Sequence, residues 1–236
     1  MNDAFVFDIG DFAKFGLLRI VAGQGLELGV VWYYTGGGAA GGVHVNYLLP
    51  GNHLGASMQA CDGVLWTAFN AAFNGGPRTV AALQATNMLP AGTPYFAHLV
   101  PGGQRNAWLN AAVAAMQGVR VVFLDPDNGI HLNPGGNLLP GNVYVTEIEA
   151  FWNAGHSLII YEHQNRWAGC CFEDQVSGKQ DAIQAVCGIR PSALRWRRLT
   201  TRAFFFVTQE RDSPGLQAAI QNLTQFPWAP HFELMP

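Results

Sequence analysis

Five stretches of the chain are built on continuous apolar runs: LGVVWYY (28–34), PYFAHLV (94–100), RVVFLD (120–125), HSLIIYE (156–162) and AFFFVTQ (203–209). None alternates polar with apolar residues, so a strand made from any of them must be covered on both faces. Between them lie segments with helical spacing, at 56–73, 78–88, about 103–117, about 143–154 and 173–187, with a last one at 214–225. Strands alternating with helices predict a three-layer α/β domain around a mostly parallel sheet, spanning residues 1–236 as one unit. LRWRRL (194–199) and AFFFVTQ are separated by too few residues for a parallel crossover, so they are expected to close the sheet as an antiparallel pair.

Composition agrees with a large buried core. Apolar residues make up 49% and charged residues 12%, about half the usual charged share of roughly 25%. No run approaches the roughly 18 apolar residues of a membrane span. The opening MNDAFVFDIGDF is acidic and lacks a signal-like basic segment, so a cytoplasmic protein is expected. Cys61, Cys170, Cys171 and Cys187 show no metal-ligand spacing and read as reduced thiols. The isolated histidines likewise show none. Asp11 is the expected N-cap of a first helix, FAKFGLLRIVAG, and HVNYLL (44–49) reads as an edge strand.

Ligands of parallel α/β sheets sit beyond the carboxyl ends of the strands. That rim is expected to collect three segments: TGGGAAGG from residue 35, DPDNG at 125–129 and EHQNR at 162–166. Asp125, Asp127 and Asn128 follow a core strand directly, and Glu162, His163 and Arg166 follow another. These types supply hydrogen-bond acceptors, a proton-transfer group and an anion holder. Asp11 and Lys14 lie three apart on one helical face, and Gly36, Gly37 and Gly38 allow close approach of a ligand to the backbone. Arg190, Arg195, Arg197, Arg198 and Arg202 crowd into residues 190–202 of a chain with net charge −3. In a strand Arg195 and Arg197 share one face and Trp196 and Arg198 the other. That pattern suits either a solvated hairpin or single-stranded nucleic acid, met by stacking and charge through Arg195, Arg197 and Arg198.

Gly10 to Arg19, GDFAKFGLLR, and Phe123 to Gly129, FLDPDNG, resemble a group of bacterial proteins that share both motifs and carry no assigned activity. More distantly, the chain is similar to class I S-adenosylmethionine-dependent methyltransferases of the rRNA adenine-N6 type. The matching positions are Gly10 with Asp11, the tract from Gly36, and Asp125 with Pro126. Asp127 stands where that family has a second proline, and Asn128 where it has a base-stacking aromatic.

The resemblance implies a class I methyltransferase-like fold binding S-adenosylmethionine or a related nucleotide, with a small-molecule or nucleic-acid substrate. Asp11, Lys14 and Gly36–Gly38 would hold the cofactor. Asp125, Asn128, Glu162 and His163 would be catalytic, and Asp127 and Arg166 would bind substrate. Two alternatives stand beside it. One is a Mg²⁺- or Mn²⁺-dependent phosphoester hydrolase or nuclease using Asp125, Asp127 and Glu162. The other is a non-catalytic binding protein on a degenerate methyltransferase scaffold.

Overall fold

The computed structural model describes residues 1–37, 44–132, 138–165 and 169–236. Nine strands are present among them: β1 (Leu28–Trp32), β2 (Tyr95–Phe96), β3 (Val121–Asp125), β4 (Gly129–His131), β5 (Asn142–Tyr144), β6 (Ser157–His163), β7 (Ser192–Trp196), β8 (Arg202–Val207) and β9 (Phe232–Leu234). The helices are α1 (Ile9–Ala22), α2 (His53–Cys61), α3 (Gly63–Gly75), α4 (Val80–Gln84), α5 (Arg105–Ala115), α6 (Val145–Asn153), α7 (Phe172–Cys187) and α8 (Ser213–Leu223). No helix among the described residues is long and apolar enough to cross a membrane.

Seven strands form one mixed sheet in the order β2-β1-β3-β6-β8-β7-β9. The β2-β1-β3-β6 half is parallel, and β8 pairs antiparallel with both β6 and β7. The expected closing pair is therefore present, with β8 lying inside it beside β6. A further antiparallel strand, β9, lies beyond β7. Strands β4 and β5 form a separate parallel ribbon.

Alternation along each strand sends side chains into two cores. Val30, Trp32, Val121, Phe123, Ile159 and Tyr161 pack with Phe12, Phe15, Leu65, Phe69 and Leu216, from α1, α3 and α8. Val31, Val122, Leu124, Leu158 and Ile160 pack with Trp108, Ile148, Phe151, Val176 and Ile183, from α5, α6 and α7. The two faces thus carry different helices, and this decides below which rim side chains can meet.

Several local expectations are corrected. The first helix is capped by Asp8, whose side chain accepts from the Asp11 amide, so the helix starts three residues earlier. Asp11 lies inside it and accepts from the Phe7 amide at 2.9 Å. HVNYLL is not a strand, because β2 already occupies the edge beside β1. Its Asn46–Leu48 portion is a short 3-10 turn that buries Tyr47 and Leu48 against the α1 side of the sheet. The expected 56–73 helix is two helices broken at Asp62, whose carboxylate caps α3 through the Leu65 amide and accepts from Arg19 Nε at 2.7 Å. The strand expected at 94–100 contracts to Tyr95–Phe96.

Helix α1 lies close to the C-terminal segment. A Cβ at Gly16 would stand 2.3 Å from Trp228 Cη2, whereas one at Gly178 in α7 would meet nothing within 4 Å. Overpacking costs about 1–3 kcal/mol, more than the roughly 1 kcal/mol that alanine gains over glycine in a helix. Gly16→Ala should therefore lower the melting temperature and Gly178→Ala should raise it slightly. Thermal unfolding of the two variants with the same sign of shift would contradict this packing.

Candidate functional site

The register brings the rim together. Trp32 pairs with Asp125 and Leu124 with Ile160, so β1 and β3 end level with Tyr161 and β6 runs on to His163. His163 pairs with Arg202, because the antiparallel β8 begins where the parallel strands finish. A cavity of about 710 Å³ opens at this edge, between the strand ends and the N-terminus of α1. Asp8, Asp11 and Lys14 line it from α1, Asp127 and Asn128 from the turn after β3, and Tyr161, His163 and Arg202 from the sheet.

A buried charge cluster forms its floor. Lys14 Nζ lies 3.0 Å from Asp11 Oδ1 and 2.8 Å from Asp125 Oδ1, and 4.2 Å from the centre of the Tyr161 ring. The Asp125 contact is an ion pair outside hydrogen-bonding geometry, and neither Asp125 oxygen has a hydrogen-bond partner among the described residues. Arg202 Nη2 donates to Asp8 Oδ2 at 3.0 Å. A Cβ at Gly10 would lie 2.8–2.9 Å from Tyr161 Oη, Arg202 Cζ and Asp8 Oδ1, so only glycine lets the helix sit this close.

Three carboxylates, Asp8, Asp11 and Asp125, thus face two cations, Lys14 and Arg202, away from water. One shared proton would make the group neutral, and Asp11 is placed to take it. Burial pushes the Asp11 carboxyl up to about 7. Lys14 opposes the rise, and the neighbouring Asp8 and Asp125 charges add to it. Burial works against the Lys14 charge, but Asp125 and Asp11 outweigh it and hold its pKa well above the ordinary value. Burial, with Arg202 and Lys14 nearby, drives His163 well below its ordinary value, so its ring is neutral at pH 7.

The residues singled out from sequence fall into three groups. Asp11, Lys14, Asp127, Asn128 and His163 line the cavity. Asp127 accepts from Thr35 Oγ1 at 2.6 Å and lies 2.9 Å from the Met1 amino group, while the Asn128 amide donates to the Gly141 carbonyl at 2.8 Å. Asp125, Glu162, Gly36 and Gly37 do not line it. Asp125 is 1% exposed and is held by Lys14. Gly38 and Arg166 lie outside the described residues.

Glu162 is at the same end of the sheet as Asp125 but on the opposite face, one residue out of phase with Tyr161 and His163. Its Oε2 accepts from the Ile130 amide at 2.6 Å and its Oε1 pairs with Lys179 of α7. Gly129, at φ +77°, is required there, since a Cβ would stand 2.4 Å from the carboxylate. Glu162 therefore fastens β4 and α7 to the sheet. Asp125, Asp127 and Glu162 do not converge on one ion. Among the described residues no group of three or more His, Cys, Asp or Glu is placed to hold a metal.

The arginine cluster divides as well. Arg195 pairs with Glu173 and lies 5.3 Å from the Phe172 ring centre, Arg197 faces Glu233, and Arg198 Nε donates to His231 Nδ1. Trp196, the aromatic available for stacking in the sequence reading, is wholly buried beside Phe232. Arg202 leaves the cluster for the cavity, a placement that only the β8 direction reveals. Tyr161 and Thr200, which also line the cavity, were equally hidden in apolar or loop sequence.

A raised folded-state pKa at Asp11 contributes stability that is complete below the unfolded carboxylate value of about 4. It is lost as pH rises through about 7. Asn cannot lose that proton. Denaturant unfolding should show Asp11→Asn gaining on the wild type between about pH 4 and 7, with the opposing histidine contributions common to both proteins. A stability difference that stays flat across this window would rule out the shared proton. A scan against protein-family models matches none, and a search of curated proteins finds no significant relative, so the functional reading rests on this geometry.

Proposed function

We propose that the chain is a methyltransferase-like enzyme that binds S-adenosylmethionine or a related nucleotide in the rim cavity. The observation that carries this reading is the meeting of the Asp-Pro-Asp-Asn turn with the N-terminus of α1 over one cavity at the carboxyl edge of the sheet. A parallel half closed by an antiparallel pair, β7 with β8, supports it, because that is the outline of the class I fold.

The cavity suits such a ligand. Its volume lies within the roughly 300–1,000 Å³ of small-molecule sites. Asp127 offers a carboxylate at its wall for hydroxyl or ammonium groups, and Lys14 and Arg202 balance the acids of the floor. When bound, the cofactor supplies an electrophilic methyl group.

The protein's own part is positioning. Asn128 accepts a hydrogen bond from the substrate's nucleophilic group, and the acceptor nitrogen of the neutral His163 ring takes a second. In-line displacement needs no covalent nucleophile, so holding the reactants aligned supplies most of the rate. Asp125 acts on the ligand only through Lys14, and Glu162 acts only as an anchor. The substrate class, small molecule or nucleic acid, would be set at the mouth of the cavity, where Leu99 and Pro140 add apolar surface.

Calorimetry with S-adenosylmethionine should show binding in the micromolar range. Asp127→Asn should weaken it about tenfold, as loss of one charge-assisted hydrogen bond would. Mn²⁺ alone should give no comparable heat. Absence of binding at millimolar S-adenosylmethionine would end the proposal.

A further inference from the structure

We infer that the Arg202 end of the cavity is an oxyanion subsite, formed by Arg202, Thr200 and His163, that receives a carboxylate or phosphate group of the ligand. The inference rests on reading the cavity as the ligand site and is independent of which cofactor fills the rest of it.

Arg202 opens β8 and is 2% exposed. A guanidinium carries five N–H donors. Nη2 is used on Asp8, while Nε and Nη1 are buried and meet no hydrogen-bond partner among the described residues. Two residues earlier, Thr200 Oγ1 is also buried without a partner, and Thr200 lines the same cavity. His163 stands opposite Arg202 in the β6–β8 register and lines the cavity too, with a neutral ring that keeps one N–H to donate.

Buried donors left unmet are costly, and native structures satisfy nearly all of them. The unmet groups on Arg202 are donors alone and the Thr200 hydroxyl donates as readily as it accepts, so an acceptor-rich anion completes this end of the site. Local charge does not oppose it. Asp8 is spent on Arg202, Asp125 on Lys14, and Asp11 retains its proton up to about neutrality. The guanidinium edge whose donors are unmet is also a better match for planar carboxylate or tetrahedral phosphate than a lysine would be.

The test uses the full chain near pH 7 with inorganic phosphate or acetate as probe, against chloride at equal ionic strength. One or both oxyanions should raise the melting temperature by about 2–5 °C at concentrations about tenfold above their dissociation constants. Response to phosphate alone assigns a phosphoryl group, and response to acetate alone a carboxylate. Thr200→Val should weaken oxyanion binding about three- to tenfold without lowering the melting temperature in chloride. Arg202→Lys should weaken it further. No oxyanion effect over chloride, or wild-type affinity in Thr200→Val and Arg202→Lys, would overturn the subsite. S-adenosylmethionine titrated in parallel separates the two proposals. Oxyanion binding without cofactor binding keeps the subsite and removes the methyltransferase reading, and the converse does the reverse.

Discussion

The placement of helix α1 over the sheet depends on one buried ammonium. Lys14 reaches from the second turn of α1 to Asp125 at the end of β3, while Asp8, the cap of the same helix, holds Arg202 at the start of β8. Four charges in two pairs therefore pin the helix N-terminus to two strands that are far apart in sequence. Buried pairs of this kind add little net stability against apolar substitutes, but removing one partner leaves a charge with no solvent. Their effect is geometric. They fix where the cavity opens and which side chains form its wall.

The same physics produces opposite outcomes on the two faces of β6. Tyr161 and His163 point toward α1, where the charge cluster leaves room for a ligand. Glu162, between them, points toward α7 and is consumed by Lys179 and the Ile130 amide. Burial raises the Glu162 carboxyl, and Lys179 with the backbone donors pulls it back. A carboxylate supplied with a cation and an amide in this way is a fastening for β4. The unmet donors on Arg202 lie on the other face, the one that carries the cavity.

Most strands and helices were legible because their signals are local. Continuous apolar runs such as VVFL and SLIIY can be satisfied only inside a covered sheet, and the two near the C-terminus were too close together to run parallel. What escaped depended on partners distant in sequence. HVNYLL has strand-like character, yet the place beside β1 is held by β2, and Tyr47 and Leu48 are buried on the α1 side of the sheet instead. Strand β9 is three residues long and exists through its pairing with Leu194, Arg195 and Trp196. Arg202 looked like one member of a surface cluster, and only the direction of β8 turns it inward. Strand alternation puts Glu162 and His163 on opposite faces, although the sequence reading grouped them at one site, and no sequence rule says which face of the sheet carries the open cavity. That is settled by where α1 packs.

The two acids of Asp-Pro-Asp-Asn show how narrow that margin is. Asp125 is the last residue of β3, and its side chain follows the strand's alternation into the α1 core, where it is tolerated only because Lys14 arrives there. The next residue cannot donate to the ladder, and its fixed φ turns the chain out of the sheet. Asp127 thus emerges on the cavity wall, with Thr35 and the Met1 amino group as neighbours in place of a buried lysine. A core strand ends in two carboxylates one proline apart because the first is a counter-ion for the helix and the second faces the cavity. Without the proline the second acid would remain in register with the strand and compete for the same ammonium.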